Sequence, residues 1–327
     1  MTNLYGEIRQ AISGENVKIV LPEGTDERVL QAALKLHNEG LVTPIIVGPL
    51  ELVIVAANQV GIDLQGIEIV DPVKFRKMDE IINRYVELRK GKTSPVQARI
   101  QLKDVNTLGM MLVFTGYAQG LISGAFHKTE EIVHLALQII QTKPGVANIS
   151  GAFIMVRENE RYIFADCAIT IAPTSEELAN IAVESAKTAK TFGIEPIVAM
   201  LSFSTKGSSV SIETKKVVEA TKLAQVKAPT VTIDGELQFD AAFVPEVAVK
   251  IAKGSSVQGN ANVFIFPSLE AANIGYKIAE SLGGFESIGL ILQGLNMPVN
   301  TLSSGYTADD IYNLALITAA QSVMSGE

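Results

Sequence analysis

The chain has 327 residues, 47% of them hydrophobic and 19% charged, with a formal net charge of -8. That length suits two domains with separate cores, and the acidic balance argues against nucleic acid or an anionic membrane as a partner, since both need clustered Lys and Arg. The single cysteine, Cys167, excludes a disulfide framework and a structural zinc site. The N-terminus has neither a basic head nor an apolar block, and no run reaches the roughly 20 apolar residues of a membrane span. A cytoplasmic protein is expected.

From Val17 the pattern predicts a strand at 18–22, a helix at 26–39, a strand at 44–47, a helix at 51–60 and a strand at 67–70. Short apolar runs alternating with helical periodicity predict βαβ units and a parallel sheet. Helices at 79–90, 95–103 and 106–117, a strand at 120–123 and a helix at 130–141 complete a first domain. Lys143-Pro144-Gly145 marks a boundary. A hairpin, 151–156 and 162–171 around Glu158-Asn159-Glu160, opens the second domain. It continues with a helix at 175–192, a strand at 197–203, a helix at 212–227, a strand at 230–234, a helix at 241–251, a strand at 263–266, a helix at 271–282 and a strand at Ile288. The class is α/β. Neither GxGxxG at the head of a βαβ unit nor GxxxxGK[ST] is present, which argues against a dinucleotide-dependent dehydrogenase and a P-loop ATPase.

The run from Gly289 to Asp310, GLILQGLNMPVNTLSSGYTADD, joins a buried strand to a helix start. Its Gly, Pro and Asn residues from 294 to 300 are expected to stop both strand and helix. Thr307 stands three residues before Asp310, the spacing of a capping box, and an apolar helix follows. Ser303, Ser304 and Asp310 therefore surround a helix N-terminus, whose unpaired N–H groups favour a phosphate or a developing oxyanion. The ordinary reading of Asp310 is the capping acid, and that of Ser303 a loop hydroxyl bonded to its own backbone.

A second polar run, Ser202 to Ser209, follows a strand and precedes a helix. It reads as a phosphate cradle or as a βα turn whose serines cap the next helix, and composition alone slightly favours the turn. His127 and His134, with Glu130 and Glu131 between them, are seven residues apart. A helical metal pair prefers three or four, so no metal site is expected.

Several runs carry a family resemblance: PVNTLSSG (298–305), AMLSFSTKGS (199–208), GELQFDAAFVP (235–245), ANVFIFPSLEAANIGYKIA (261–279) and FADCAI (164–169). The likeness extends from LPEGTDERVLQAA near the start to LALITAAQ near the end. The chain resembles the phosphate acetyltransferase (phosphotransacetylase) family over nearly its whole length. The resemblance implies acetyl transfer between coenzyme A and inorganic phosphate, with coenzyme A as a substrate and no tightly bound cofactor. It also implies a homodimer and two three-layer α/β domains with mainly parallel sheets and a cleft between them. On that layout residues 1–145 and the returning segment 298–327 form one domain and residues 146–297 the other.

By the same resemblance Asp310 is the base for the coenzyme thiol and Ser303 steadies the oxyanion. Arg89, in VELRKGK, matches a coenzyme-linked arginine. Arg28, Ser204, Lys206, Ser123, His127, His134, Ser304 and Asn300 are the further candidates for substrate contacts. Several positions depart from the family pattern: its Asp is Thr301, two of its arginines are Ser304 and His134, Leu135 and Leu290 stand where it has proline, and Gln119 where it often has Asp. The two arginine positions bear most on the mechanism. Neither replacement offers the fixed bidentate fork of a guanidinium. One missing transition-state donor typically costs about a hundred- to a thousandfold in rate, so reduced activity is expected, with Lys128 returning some of the charge. Two alternatives stand beside this reading: an impaired coenzyme A-binding or assembly module, and an acyltransferase for a longer acyl phosphate.

Overall fold

The computed structural model describes residues 4–302 and 305–324. The chain divides into two compact units, one of residues 5–141 with the segment from Leu295 onward, the other of Thr142–Gly294.

The first unit contains α1 (Leu4–Ile12), β1 (Lys18–Leu21), α2 (Glu27–Glu39), β2 (Thr43–Val47), α3 (Leu50–Gln59), β3 (Glu68–Val70), α4 (Met78–Leu88), α5 (Pro95–Gln101), α6 (Val105–Phe114), β4 (Gly120–Ser123) and α7 (Thr129–Ile139). Helix α1 was not expected; it buries Leu4, Ile8 and Ile12, one turn apart. Helix α2 starts where the Asp26 carboxylate accepts from Arg28 N, and stops where Gly40 turns left-handed at φ 69°. Its buried residues, Val29, Leu30, Ala32, Ala33 and Leu36, form one stripe.

The second unit contains β5 (Ser150–Arg157), β6 (Glu160–Ala165), α8 (Ser175–Thr191), β7 (Ile197–Leu201), α9 (Ile212–Lys227), β8 (Thr232–Leu237), α10 (Phe239–Phe243), α11 (Pro245–Ile251), β9 (Val263–Ile265), α12 (Leu269–Ser281) and β10 (Glu286–Gln293). Strand β5 runs antiparallel to both β10 and β6, and β6, β9, β7 and β8 then pair in parallel. Phe264, fully buried on β9, meets Tyr162, Phe164, Phe239 and Phe243 in edge-on and tilted contacts.

The chain then supplies β11 (Val299–Thr301) and α13 (Ala308–Met324) to the first unit. Its sheet is parallel throughout, in the order β3, β2, β1, β4, β11. Successive side chains on a strand face opposite ways. Accordingly Gly120 of β4 lies under Thr318 of α13, while Leu121 lies against Gly109 of α6, which puts these two helices on opposite faces. The unit is a three-layer sandwich.

Three expectations need correction. Residues 299–301 form a strand rather than a loop, with Val299, Asn300 and Thr301 beside Leu121, Ile122 and Ser123. The polar Asn300 fits there because its amide donates to Thr318 Oγ1 at 2.8 Å and Gln321 Oε1 at 2.6 Å on α13. The helix expected at 241–251 is two, α10 and α11, because Pro245 has no N–H to continue the first and instead opens the second. The strand expected to reach Ile171 ends at Ala165, where the Asp166 carboxylate accepts from the N–H groups of Ala168, Ile169 and Thr170 and folds them into a turn.

Candidate active site

The strongest polar cluster of the first unit is centred on a residue that the sequence did not bring forward. Glu23 follows β1, holds φ at 65° and is 3% exposed. Its carboxylate gathers the segment that leaves β4. Oε2 accepts from Gly124 N at 3.0 Å and Ala125 N at 2.7 Å, and Oε1 from Phe126 N at 2.8 Å and His127 N at 3.0 Å. His127 Nδ1 is 2.7 Å from Oε1, and Ser123 Oγ lies 3.3 Å from Oε2. Burial alone would push the Glu23 carboxyl up, but the bonds to His127, Phe126 and Ala125 outweigh it and hold the group below its usual range.

Ser123 also donates to Asn106 Oδ1 at 2.6 Å, and Asn106 Nδ2 is buried with no hydrogen-bond partner among the described residues. Thr301 Oγ1 is buried and unpartnered in the same sense. A Cβ on Gly124 would stand 2.8 Å from that oxygen, so only glycine, here at φ 114°, lets the ends of β4 and β11 approach this closely.

Arg28 flanks this cluster, and Asp310 lies in the first turn of α13, a few residues after Tyr306. The Arg28 guanidinium forks onto Asp26, with Nε to Oδ1 at 3.0 Å and Nη2 to Oδ2 at 2.6 Å. It lies over the ring of Tyr306, whose hydroxyl donates to Ala125 O at 3.1 Å. Asp310 is exposed and closes the capping box of α13, its Oδ2 accepting from Thr307 N at 2.7 Å and Thr307 Oγ1 at 2.8 Å. Its Oδ1 makes no hydrogen bond among the described residues. Ser303 and Ser304 lie outside the described residues. Asn300 is spent on α13, as described above.

Arg89 caps the end of α4 and turns to α7. With the Gln138 amide oriented oxygen-first, it accepts from Arg89 Nη2 at 2.7 Å, and Arg89 Nε is buried without a partner among the described residues. His134 is exposed one turn earlier on α7, and Lys128 is that helix's N-cap residue, with no side-chain capping bond.

Ser204 and Lys206 belong to the second unit, where neither is a free cradle. Ser204 is fully buried, donates to Glu236 Oε1 at 2.9 Å and accepts from Ser209 N at 3.0 Å. Lys206 binds the Asp234 carboxylate and donates to Gly235 O at 3.1 Å. Asp234 is consequently held below its usual range, the Lys206 and Ser255 bonds outweighing the upward push of burial.

The structure thus brings Arg28, Ser123 and His127 to one cluster, next to the segment that opens α13 with Asp310. Among the described residues no group of three or more His, Cys, Asp or Glu is arranged to hold a metal. No helix among them is long and apolar enough to cross a membrane.

A model of the phosphate acetyl/butaryl transferase family matches residues 3–319 of the chain. The phosphate acetyltransferase of Bacillus subtilis (strain 168) is 56% identical over 323 residues, 99% of this chain and 100% of that protein. Two solved structures, the EutD phosphotransacetylase from Staphylococcus aureus and a phosphotransacetylase from Streptococcus pyogenes, superpose with TM-scores of 0.94 at 54% identity, covering 98% of each chain. The chain belongs to the phosphate acetyl/butaryl transferase family.

Proposed function

We propose that the chain transfers an acetyl group between coenzyme A and inorganic phosphate, acetyl-CoA and phosphate giving coenzyme A and acetyl phosphate, and the reverse. The observation that carries this reading is the 56% identity to a phosphate acetyltransferase along 99% of the chain. In the thioester-forming direction the thiol, with an unperturbed pKa of about 8.5, gives its proton to Asp310. Only Oδ2 of that carboxylate is committed to the helix cap, which leaves Oδ1 to take the proton. The thiolate then attacks the acetyl carbonyl carbon. A tetrahedral oxyanion forms beside Ser303, and it collapses as the carbon–oxygen bond to phosphate breaks. Arg89 and His127 are the phosphate-side or coenzyme-side donors, while His134 and Ser304 stand where the family pattern has guanidinium groups, which lowers the rate.

In this reading the enzyme works in the cytoplasm as a homodimer on small-molecule substrates alone. The test is thioester formation by the purified chain from acetyl phosphate and coenzyme A. Coenzyme A binding by calorimetry with no turnover would overturn the catalytic reading. A series of acetyl, propionyl and butyryl phosphates assigns the preferred acyl length.

A further inference from the structure

We infer that Glu23 is a positioning residue for this reaction: its carboxylate builds the 123–127 turn and fixes the His127 imidazole with Nε2 turned toward the phosphate of the acyl phosphate. The inference rests on the acyl-transfer reading of the same site.

Four consecutive backbone N–H groups, Gly124 to His127, converge on one carboxylate. Such a concave run of donors ordinarily receives an anion from outside. Here the chain's own Glu23 fills it, so the run acts as a brace. Burying a carboxylate is costly unless every acceptor site is used, and a plain turn does not require one. What the carboxylate adds is the bond to His127 Nδ1 at 2.7 Å.

That bond settles which ring nitrogen is left for a ligand. His127 is about one-third exposed, and its Nε2 lies 3.9 Å from Asp104 Oδ2, beyond hydrogen-bond reach. Asp104 is itself engaged, its Oδ1 accepting from Thr107 N at 2.7 Å and Thr107 Oγ1 at 2.8 Å. When the ring is protonated Nε2 is an N–H donor and suits a phosphate oxygen, whereas in the neutral ring with its proton on Nδ1 it is an acceptor and pairs only with a phosphate oxygen that carries a proton. His127 is followed directly by the first residues of α7, an end that has no side-chain cap and favours negative charge. A buried acid that orients a histidine is the arrangement that makes an imidazole act in one direction.

The test compares steady-state kinetics of Glu23→Gln, His127→Asn and the double variant with the unsubstituted chain, varying acetyl phosphate and coenzyme A separately. Each single substitution is expected to raise KM for acetyl phosphate about tenfold or more and leave KM for coenzyme A within about twofold. Because Glu23 acts through His127, the double variant is expected to fall within about threefold of the worse single one. Equal shifts in both KM values, or losses that multiply, would overturn the assignment. Should Glu23→Gln fail to fold, one- and two-bond proton–nitrogen correlation spectra of the unsubstituted chain at alkaline pH decide: the neutral tautomer of His127 is expected to carry its proton on Nδ1, and a proton on Nε2 overturns the assignment. An inactive unsubstituted chain would defeat the acyl-transfer reading, whereas an active one with an unchanged His127→Asn variant would defeat this inference alone.

Discussion

The guanidinium carbon of Arg28 lies 4.0 Å from the centroid of the Tyr306 ring, and the same guanidinium is forked onto Asp26. The start of α2 is thereby tied to the segment that leads into α13. Stacked and forked in this way, Arg28 serves the position of that segment more directly than it serves an anion. Tyr306→Ala removes the cation–π contact, about 0.5–1 kcal/mol, and the hydroxyl bond to Ala125 O, about 1 kcal/mol. Urea denaturation should show a loss of about 1.5–2 kcal/mol for Tyr306→Ala and about 1 kcal/mol for Tyr306→Phe. Equal stability of the two variants would show that the stack contributes nothing.

Asn300 makes a separate case, because its amide is fully buried and donates to two side chains of α13. Asn300→Ala should lower the unfolding free energy by about 2 kcal/mol, since two bonds are lost and Gln321 and Thr318 must find other partners. The check is the denaturation midpoint, read alongside KM for acetyl phosphate. A stable variant with a raised KM would return Asn300 to the substrate-binding set.

Acid should unfold the first unit through Glu23 and Asp26. Burial pushes both carboxyls up, but His127 and the turn N–H groups for Glu23, and Arg28 for Asp26, bring them below the usual range. The unfolded chain takes up these protons at higher pH than the folded one. The stability they contribute is therefore complete above about pH 5 and is lost as pH falls through the unfolded and then the folded values. Asp166 in the second unit has the opposite sign: burial holds its carboxyl above the usual range despite its N–H donors, so its contribution is complete below that usual range and declines as pH rises from there through the raised folded value. Denaturant midpoints measured from pH 6 downward should fall below about pH 5. In Glu23→Gln that slope should be shallower, and an unchanged slope would contradict the assignment.

Periodicity in the sequence marks most helices and strands correctly, because a stripe such as Val29, Leu30, Ala33 and Leu36 is written directly in the spacing of apolar residues. Thr307 and Asp310 likewise announce the capping box that the structure contains. What local pattern hides is any role set by distant partners. Asn300 reads as a turn residue until its acceptors on α13, the Thr318 hydroxyl and the Gln321 amide oxygen, are known. Lys206 reads as a phosphate ligand until Asp234, 28 residues away, takes its ammonium. Glu23, in LPEGTDER, looks like one more turn acid, yet its partners lie about a hundred residues on. The one available signal was its position at the carboxyl end of a parallel strand, where α/β folds collect ligand-binding groups.

By the family resemblance, Ser304 and His134 are neutral replacements of arginine, and the proposed mechanism depends on the charge lost there. The direct measurement is the initial rate of acetyl-CoA formation from acetyl phosphate and coenzyme A, for the unsubstituted chain and for the double variant Ser304→Arg with His134→Arg. Turnover is expected in both, with the double variant faster by about tenfold or more, in line with restored transition-state donors. Absence of thioester from both proteins, or a double variant no faster than the unsubstituted chain, would contradict the account.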